Sequence, residues 1–333
     1  MHKLKRFFIP DNGSLQLDFL SGLTVALALI PEAIAFALVA GVNPLIGLFA
    51  AFFMCTITAL IGGRPGMISG ATGSMAVVLA ALCKQYGLEY LFITIIFTGL
   101  IEIAIGLLHL GKLIRMMPKS VMVGFVNGLA IVIFLAQLKQ FSGVSADGHT
   151  YWLASQPLFT MLALVVIAML ITHYLPRLTK AVPAALSAII VVSLIVLIGH
   201  VHTRVVEDMM AGHRMSGVIL PQFHLPHVTW SWKMMYTVLP YSMILAIIGL
   251  SESLMTLSLI DERTRTHGKG NRECMAQGIA NIVCGFFQSM GGCAMIGQSM
   301  INITSGGRGR LSGIVAGIFL LLFIAVGWPL IKM

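Results

Sequence analysis

The sequence predicts an all-α polytopic membrane protein, and three observations predict it. Hydrophobic residues make up 58% of the chain and charged residues 10%, where a soluble domain carries about 25% charged residues. Windows of about 20 apolar residues without a charge, the length that spans a bilayer, recur from end to end. The basic residues are shared unevenly between alternate connections, as an inserted chain requires.

Taken in order, the apolar runs predict eleven spans. The first, 17–40, follows the short basic stretch MHKLKRFFIPDNGS and is long enough to cross by itself, so residues 1–16 read as a cytoplasmic N-terminus and not as a cleavable leader. The runs 44–62, 71–87 and 90–111 complete a first group, and 119–139, 156–175 and 182–200 follow. The longest polar connection, 201–235, reads as an extracytoplasmic loop in which several of the ten histidines cluster. Beyond it lie 236–260, 272–288, 293–305 and 309–331. With the N-terminus inside and every run crossing, 15 of the 21 Lys and Arg residues fall on the cytoplasmic side. That is the expected sign of the bias.

Two of the runs are weak helices. Residues 62–74, GGRPGMISGATGS, hold five glycines and a proline, and 289–307, SMGGCAMIGQSMINITSGG, is similar. Irregular backbone survives at membrane depth only inside protein or beside a water-filled cavity. One stretch introduces the third run of the chain and the other the third run after the long loop. Interrupted helices at matching places in two halves point to a binding site on an inverted repeat. Two half-helix N-termini that face each other present free N–H groups and positive dipole ends, an anion site that needs no basic side chain. Gly70, Ala71 and Gly73 allow close approach to that backbone, and Thr72 and Ser74 add hydroxyl donors.

Acids inside apolar runs are costly and are functional candidates by default. Glu252 lies midway along the eighth run, with Ser251, Ser253 and Thr256 nearby, and Thr256 is four residues on, on the same helix face. Such a carboxylate with hydroxyls suits Na⁺, or it carries a proton. Glu32 follows Pro31, which frees a carbonyl in mid-span. Glu102 has no constellation around it and reads as structural.

Other classes are disfavoured. The five cysteines have no CxxC or His–Cys spacing, so no zinc site or disulfide framework is expected. No HExxH, GxSxG or paired catalytic acids appear, so an enzyme is not expected. The net charge of +9 reads as cytoplasmic Lys and Arg and not as a nucleic-acid surface.

Four stretches together resemble the SulP inorganic anion transporters, the sulfate-permease family that includes sodium–bicarbonate symporters. They are LTVALALIPEAIAFALVAGVNPLIGLFAAFF in the first spans, GGRPGMISGATGSMAVV in the third, LSESLMTLSLIDERT in the eighth and GGCAMIGQSMINITSGGRGRLSG in the tenth and eleventh. The resemblance implies fourteen spans in two inverted repeats of seven, of which eleven are present. A core domain (17–111 and 236–333) carries the substrate elevator-like against a gate domain (119–200), and a homodimer is usual. It implies that Thr72, Gly73 and Ser74 line the anion site from the third span, and that Ala294, Met295 and Ile296 do so from the tenth. Glu252 and Thr256 match the family's Na⁺-holding positions, although the symporters carry Asp where this chain has Glu, which leaves proton coupling open. Glu32, grouped with the substrate site, stands where many members have Gln. Spans 12–14 and the usual cytoplasmic STAS domain are absent, so the chain reads as truncated. The expected function is secondary active transport of a sulfate- or bicarbonate-class anion coupled to Na⁺ or H⁺, with no cofactor. The alternatives are a non-transporting subunit and a nucleobase permease of the same fold, the latter weakened because the tenth span offers Gln298 and Asn302 but no acid.

Overall fold

The structure is a computed structural model that describes residues 14–111, 119–138, 141–144, 150–152, 155–178, 184–199, 201, 203 and 220–331. Residues 1–13 of the expected N-terminus, 204–219 of the expected loop and much of the histidine cluster lie outside the described residues. Each expected run holds a helix. In order they are α1 (Leu15–Ala40), α2 (Pro44–Ile61), α3 (Gly73–Tyr86), α4 (Leu88–Leu107), α5 (Lys119–Leu138), α6 (Ser155–Leu178), α7 (Ala184–Ile198), α8 (Trp232–Thr264), α9 (Gly270–Phe286), α10 (Ile296–Thr304) and α11 (Arg310–Ile331). Among the described residues, α1, α2, α4, α6 and α8 are each long and apolar enough to cross a membrane.

The chain divides into two compact units. The first comprises residues up to Val126 and Gly217–Val326, the second Asn127–Ser216 and the residues from Gly327. In the second, α6 and α7 pack on each other, and β2 (Ser142–Val144) pairs antiparallel with β3 (Thr150–Trp152). The first unit holds the acids and hydroxyls singled out above.

The interrupted stretches differ from the expected runs in one respect. The runs 71–87 and 293–305 place the helices too early, because Ala71–Thr72 and Cys293–Met295 are not helical. Cys293 and Ala294 belong instead to a crossing of two short strands, and Thr72 and Met295 lead out of it in extended conformation. β1 (Ser69–Gly70) pairs antiparallel with β4 (Cys293–Ala294), Ser69 opposite Ala294 and Gly70 opposite Cys293. A β-carbon on Gly292 would collide with the carbonyl of Gly70, so the two backbones meet at glycines. The eighth run also extends further than its hydropathy, to Thr264, because Asp261 is paired with Arg64 at 3.2 Å.

Several helix ends are tied to side chains from other helices. Asp18 of α1 accepts from the N–H groups of Arg308 (2.7 Å) and Gly309 (3.1 Å) ahead of α11. Glu273 of α9 accepts from Gly63 N–H at 2.7 Å. Arg310 donates to the carbonyls of Ala59 (2.8 Å) and Gly62 (2.7 Å) at the end of α2, and Arg64 donates to Ile260 O (3.3 Å) and to the Thr264 hydroxyl. Asp18 thus meets the start of α11, and the Arg310 and Arg64 guanidinium groups meet the carbonyl ends of α2 and α8, as the helix dipole favours.

The most extensive helix pairing is α4 with α9. Gly99 and Gly278 face each other there, and a β-carbon on either would strike the other's carbonyl oxygen. In lipid, helices associate by close packing, so small residues at the seam set the separation. Gly99→Ala and Gly278→Ala are each expected to lower thermal stability by about 1–3 kcal/mol. The double variant should lose less than the sum, because both crowd one seam and the helix separation that relieves the first also relieves the second. Melting of detergent-solubilised protein followed by size exclusion checks this.

Candidate functional site

The half-helices α3 and α10 begin immediately after the strand crossing. Thr72 and Met295 occupy their N-cap positions in extended conformation, and neither makes a side-chain capping bond. The first N–H groups of both helices are therefore left for another partner. Around α3 the chain is closed, with Thr72 and Ser74 each 2% exposed. Around α10 it is open: Gly297 is exposed, Ile296 is half-buried, and a β-carbon on Gly297 would meet nothing within 4 Å.

Glu252 of α8 reaches into this region. Ser74 Oγ donates to its Oε2 at 2.6 Å, the Cys293 thiol lies 3.2 Å from the same oxygen, and Thr72 Oγ1 lies 3.2 Å from Ser74 Oγ and 3.3 Å from Cys293 Sγ. The structure thus brings Thr72, Ser74 and Glu252 into one cluster, with Gly73 between the first two in the chain. Thr256 is turned elsewhere. It is fully buried, and its hydroxyl donates to the carbonyl of Glu252 at 2.9 Å and lies 3.4 Å from that of Ala294. Ala294 and Met295 are buried in the crossing, where Ala294 N–H donates to Ser253 Oγ at 3.0 Å and Met295 N–H to Ile68 O at 2.9 Å. These two amides are occupied, so the part of the second half-helix left free begins at Ile296. Glu32 is half-buried on α1, and its carboxyl faces the Gln298 amide.

Cys293 has no role in the sequence, and Ser253 and Gln298, both named there, take contacts that spacing does not indicate. The spacing of Cys293 points to no ligand set, and only the strand crossing brings it to Glu252. Gln298 occupies the first turn of α10, 1% exposed, and apart from the Glu32 carboxyl that faces it, neither its amide nitrogen nor its amide oxygen has a partner within ordinary hydrogen-bond geometry. A buried orphan amide is uncommon enough to need an explanation, and its position in a weak, polar run was the available signal. Ser253, one residue from Glu252, accepts the N–H of Ala294 in the crossing. Among the described residues no group of three His, Cys, Asp or Glu side chains is placed to hold a metal ion. The free N–H groups, hydroxyls and orphan amide suit an anion with several acceptor oxygens.

Residues 15–333 match the sulfate permease family. YbaR of Bacillus subtilis (strain 168) is 49% identical over 314 residues, which is 94% of this chain and 62% of YbaR. The bicarbonate transporter BicA of a Synechocystis strain is 32% identical over 331 residues, 93% of this chain and 57% of that protein. The chain thus spans about three fifths of the length of these relatives. Among solved structures, the transmembrane domain of a cyanobacterium bicarbonate transporter BicA superimposes with a TM-score of 0.81 at 28% identity, covering 96% of this chain and 83% of that one.

Ser253→Ala is expected to strip the Ala294 N–H of its acceptor. A buried donor left unpaired costs about 1–3 kcal/mol, so the melting temperature should fall, and Ser253→Thr, which keeps a hydroxyl, should restore most of it. Thermal unfolding of the purified variants checks this.

Proposed function

The chain belongs to the sulfate permease family, and from that premise and the geometry of the crossing we propose that it carries a small inorganic oxyanion, of the sulfate or bicarbonate class, across the membrane by secondary active transport. The observation that carries the reading is the pair of uncapped half-helix N-termini with Glu252 lodged against one of them. The dipole ends, the N–H groups of Gly73 and Ser74, the Thr72 hydroxyl, the free N–H groups at Ile296 and the Gln298 amide supply donors for an oxyanion.

Glu252 supplies the coupling. Its Oε2 is held by the first turn of α3 through Ser74. An ionised carboxylate there occupies the positive end that the anion needs, and two negative groups at one dipole end repel each other. The anion therefore binds well only when Glu252 has gained a cation. A proton suits the observed surroundings better than Na⁺. The neighbours of Oε2 are a hydroxyl and a thiol, and the Thr256 hydroxyl is committed to backbone carbonyls, whereas a hard cation wants several free oxygens. Glu32, beside Gln298, lies near the other half-helix and would modulate the same site. The first compact unit serves as the substrate-carrying core and the second as part of the gate, with elevator-like motion between them and the N-terminus in the cytoplasm.

The test is uptake of labelled sulfate and bicarbonate into proteoliposomes holding the 333-residue chain, with Na⁺ and H⁺ gradients imposed separately. One anion driven by the H⁺ gradient is the expected result. A response to Na⁺ alone would replace the proton, and no uptake of either anion by folded protein would remove the transport reading. Glu252→Gln should abolish the dependence on the proton gradient while the protein still inserts; full retention of that dependence would rule out Glu252 as the coupling residue. Thr72→Val removes a hydroxyl donor and should raise KM for the anion about three- to tenfold, the worth of one hydrogen bond. An unchanged concentration dependence would count against Thr72 as a ligand.

A further inference from the structure

Glu102 of α4 and Asn281 of α9 take no part in the cluster around Glu252, yet both are fully buried polar side chains. They meet each other and the loop that leads into β4. Asn281 Nδ2 donates to Glu102 Oε2 at 2.8 Å and to the carbonyl of Gly292 at 3.2 Å, while Asn281 Oδ1 accepts from Gly292 N–H at 2.9 Å. One amide side chain thus grips both polar groups of one backbone residue. An amide can do so in only one of its two orientations, and an acceptor at Glu102 Oε2 selects it. Flipping Asn281 would set its oxygen against both Glu102 and the Gly292 carbonyl. The other carboxyl oxygen of Glu102 has no hydrogen-bond partner and lies against Gly249 of α8, where a β-carbon would approach within 3.1 Å. The carboxyl is therefore confined as well as bonded.

Gly292 immediately precedes Cys293, whose pairing with Gly70 fixes the register of the crossing. Two-residue strands have almost no side-chain pattern of their own to hold register, and a slip of one residue turns every side chain to the opposite face. Here a slip would remove the Cys293 thiol from Glu252 and the Ala294 N–H from Ser253, and would rotate the start of α10. We propose that Glu102 and Asn281 are positioning residues for the anion site: Glu102 orients the Asn281 amide, which locks Gly292 and so sets where the second half-helix begins. The proposal rests on the transport reading for its consequence in uptake, and on the geometry alone for its consequence in local order.

The experiment separates the two. Glu102→Leu fills similar space without an acceptor, and Glu102→Gln keeps the acceptor and the shape. Hydrogen–deuterium exchange of the peptide covering 289–297 should become about tenfold faster in Glu102→Leu, stay near wild type in Glu102→Gln and leave α2 unchanged in both. In proteoliposomes, Glu102→Leu should raise KM for the transported anion about tenfold with maximal rate within about twofold, and Glu102→Gln should restore KM. Asn281→Ala should reproduce the Glu102→Leu effect, and the double variant should be no worse than Asn281→Ala. Unaltered exchange at 289–297 in Glu102→Leu overturns the proposal. So does a Glu102→Gln variant as impaired as Glu102→Leu, which would make the acid itself, and not its acceptor, the requirement. If the wild-type chain carries neither anion, the transport reading fails, and the exchange experiment still decides the positioning role.

Discussion

Everything in the first unit depends on how backbone can leave a helix where no water is available to receive its hydrogen bonds. At membrane depth an unpaired N–H or C=O costs several kcal/mol, so an interruption must be satisfied from within. The solution is the antiparallel crossing of Ser69–Gly70 with Cys293–Ala294, and the crossing alone is insufficient. Side chains complete it: Ser253 from α8 receives the Ala294 N–H, Ser299 from α10 receives the Ile68 N–H at 2.9 Å, Gln277 from α9 donates to Ser69 Oγ at 2.8 Å, and Asn281 holds Gly292. Each of these polar residues lies within an apolar run and is fully buried. Their presence in otherwise hydrophobic helices follows from the two breaks they serve.

The same logic accounts for much of the charge. Asp18, Glu273, Arg64 and Arg310 are all at most 6% exposed, and each is occupied by helix termini or by an opposite charge. Buried charge is tolerated only when it is paired and hydrogen-bonded. The acids left over in the first unit are then few. Glu102 belongs to the framework, whereas Glu252 lies half-buried against the first turn of α3 and Glu32 half-buried facing Gln298 in the first turn of α10.

The hydrophobic runs and the two interruptions were legible in the sequence because both rest on local chemistry, apolar length in one case and glycine density in the other. The half-helix starts were read two or three residues early. A two-residue strand has no periodicity, and Ala71–Thr72 or Cys293–Met295 are as compatible with a helix as with an extended segment. The cluster around Glu252 was half legible. The acid and the hydroxyls Thr72 and Ser74 stood out as polar groups in apolar context, but Cys293 joins them across a register that no spacing encodes. Thr256 sits on the same helix face as Glu252, as the four-residue interval requires, yet its hydroxyl finds the nearer backbone carbonyl first, which is common for Thr in a helix. The seam between Gly99 and Gly278 was invisible for a different reason: a single glycine in a long apolar run signals close packing only once its partner is known.

The crossing has a consequence for the order of biogenesis. Ile68 and Ser299, bonded across it, are 231 residues apart in the chain. A ribosome delivers the first strand, with its exposed N–H and C=O groups, long before the second exists, and distant contacts form late because loop closure must come first. From the insertion of α4 until that of α10, the first half therefore waits in the membrane with an open strand edge, and the polar side chains of α8 and α9 reach it before its partner does. Assembly of the site thus waits for α10, and the nascent chain is most exposed to mispairing or quality-control proteolysis during the interval that precedes it.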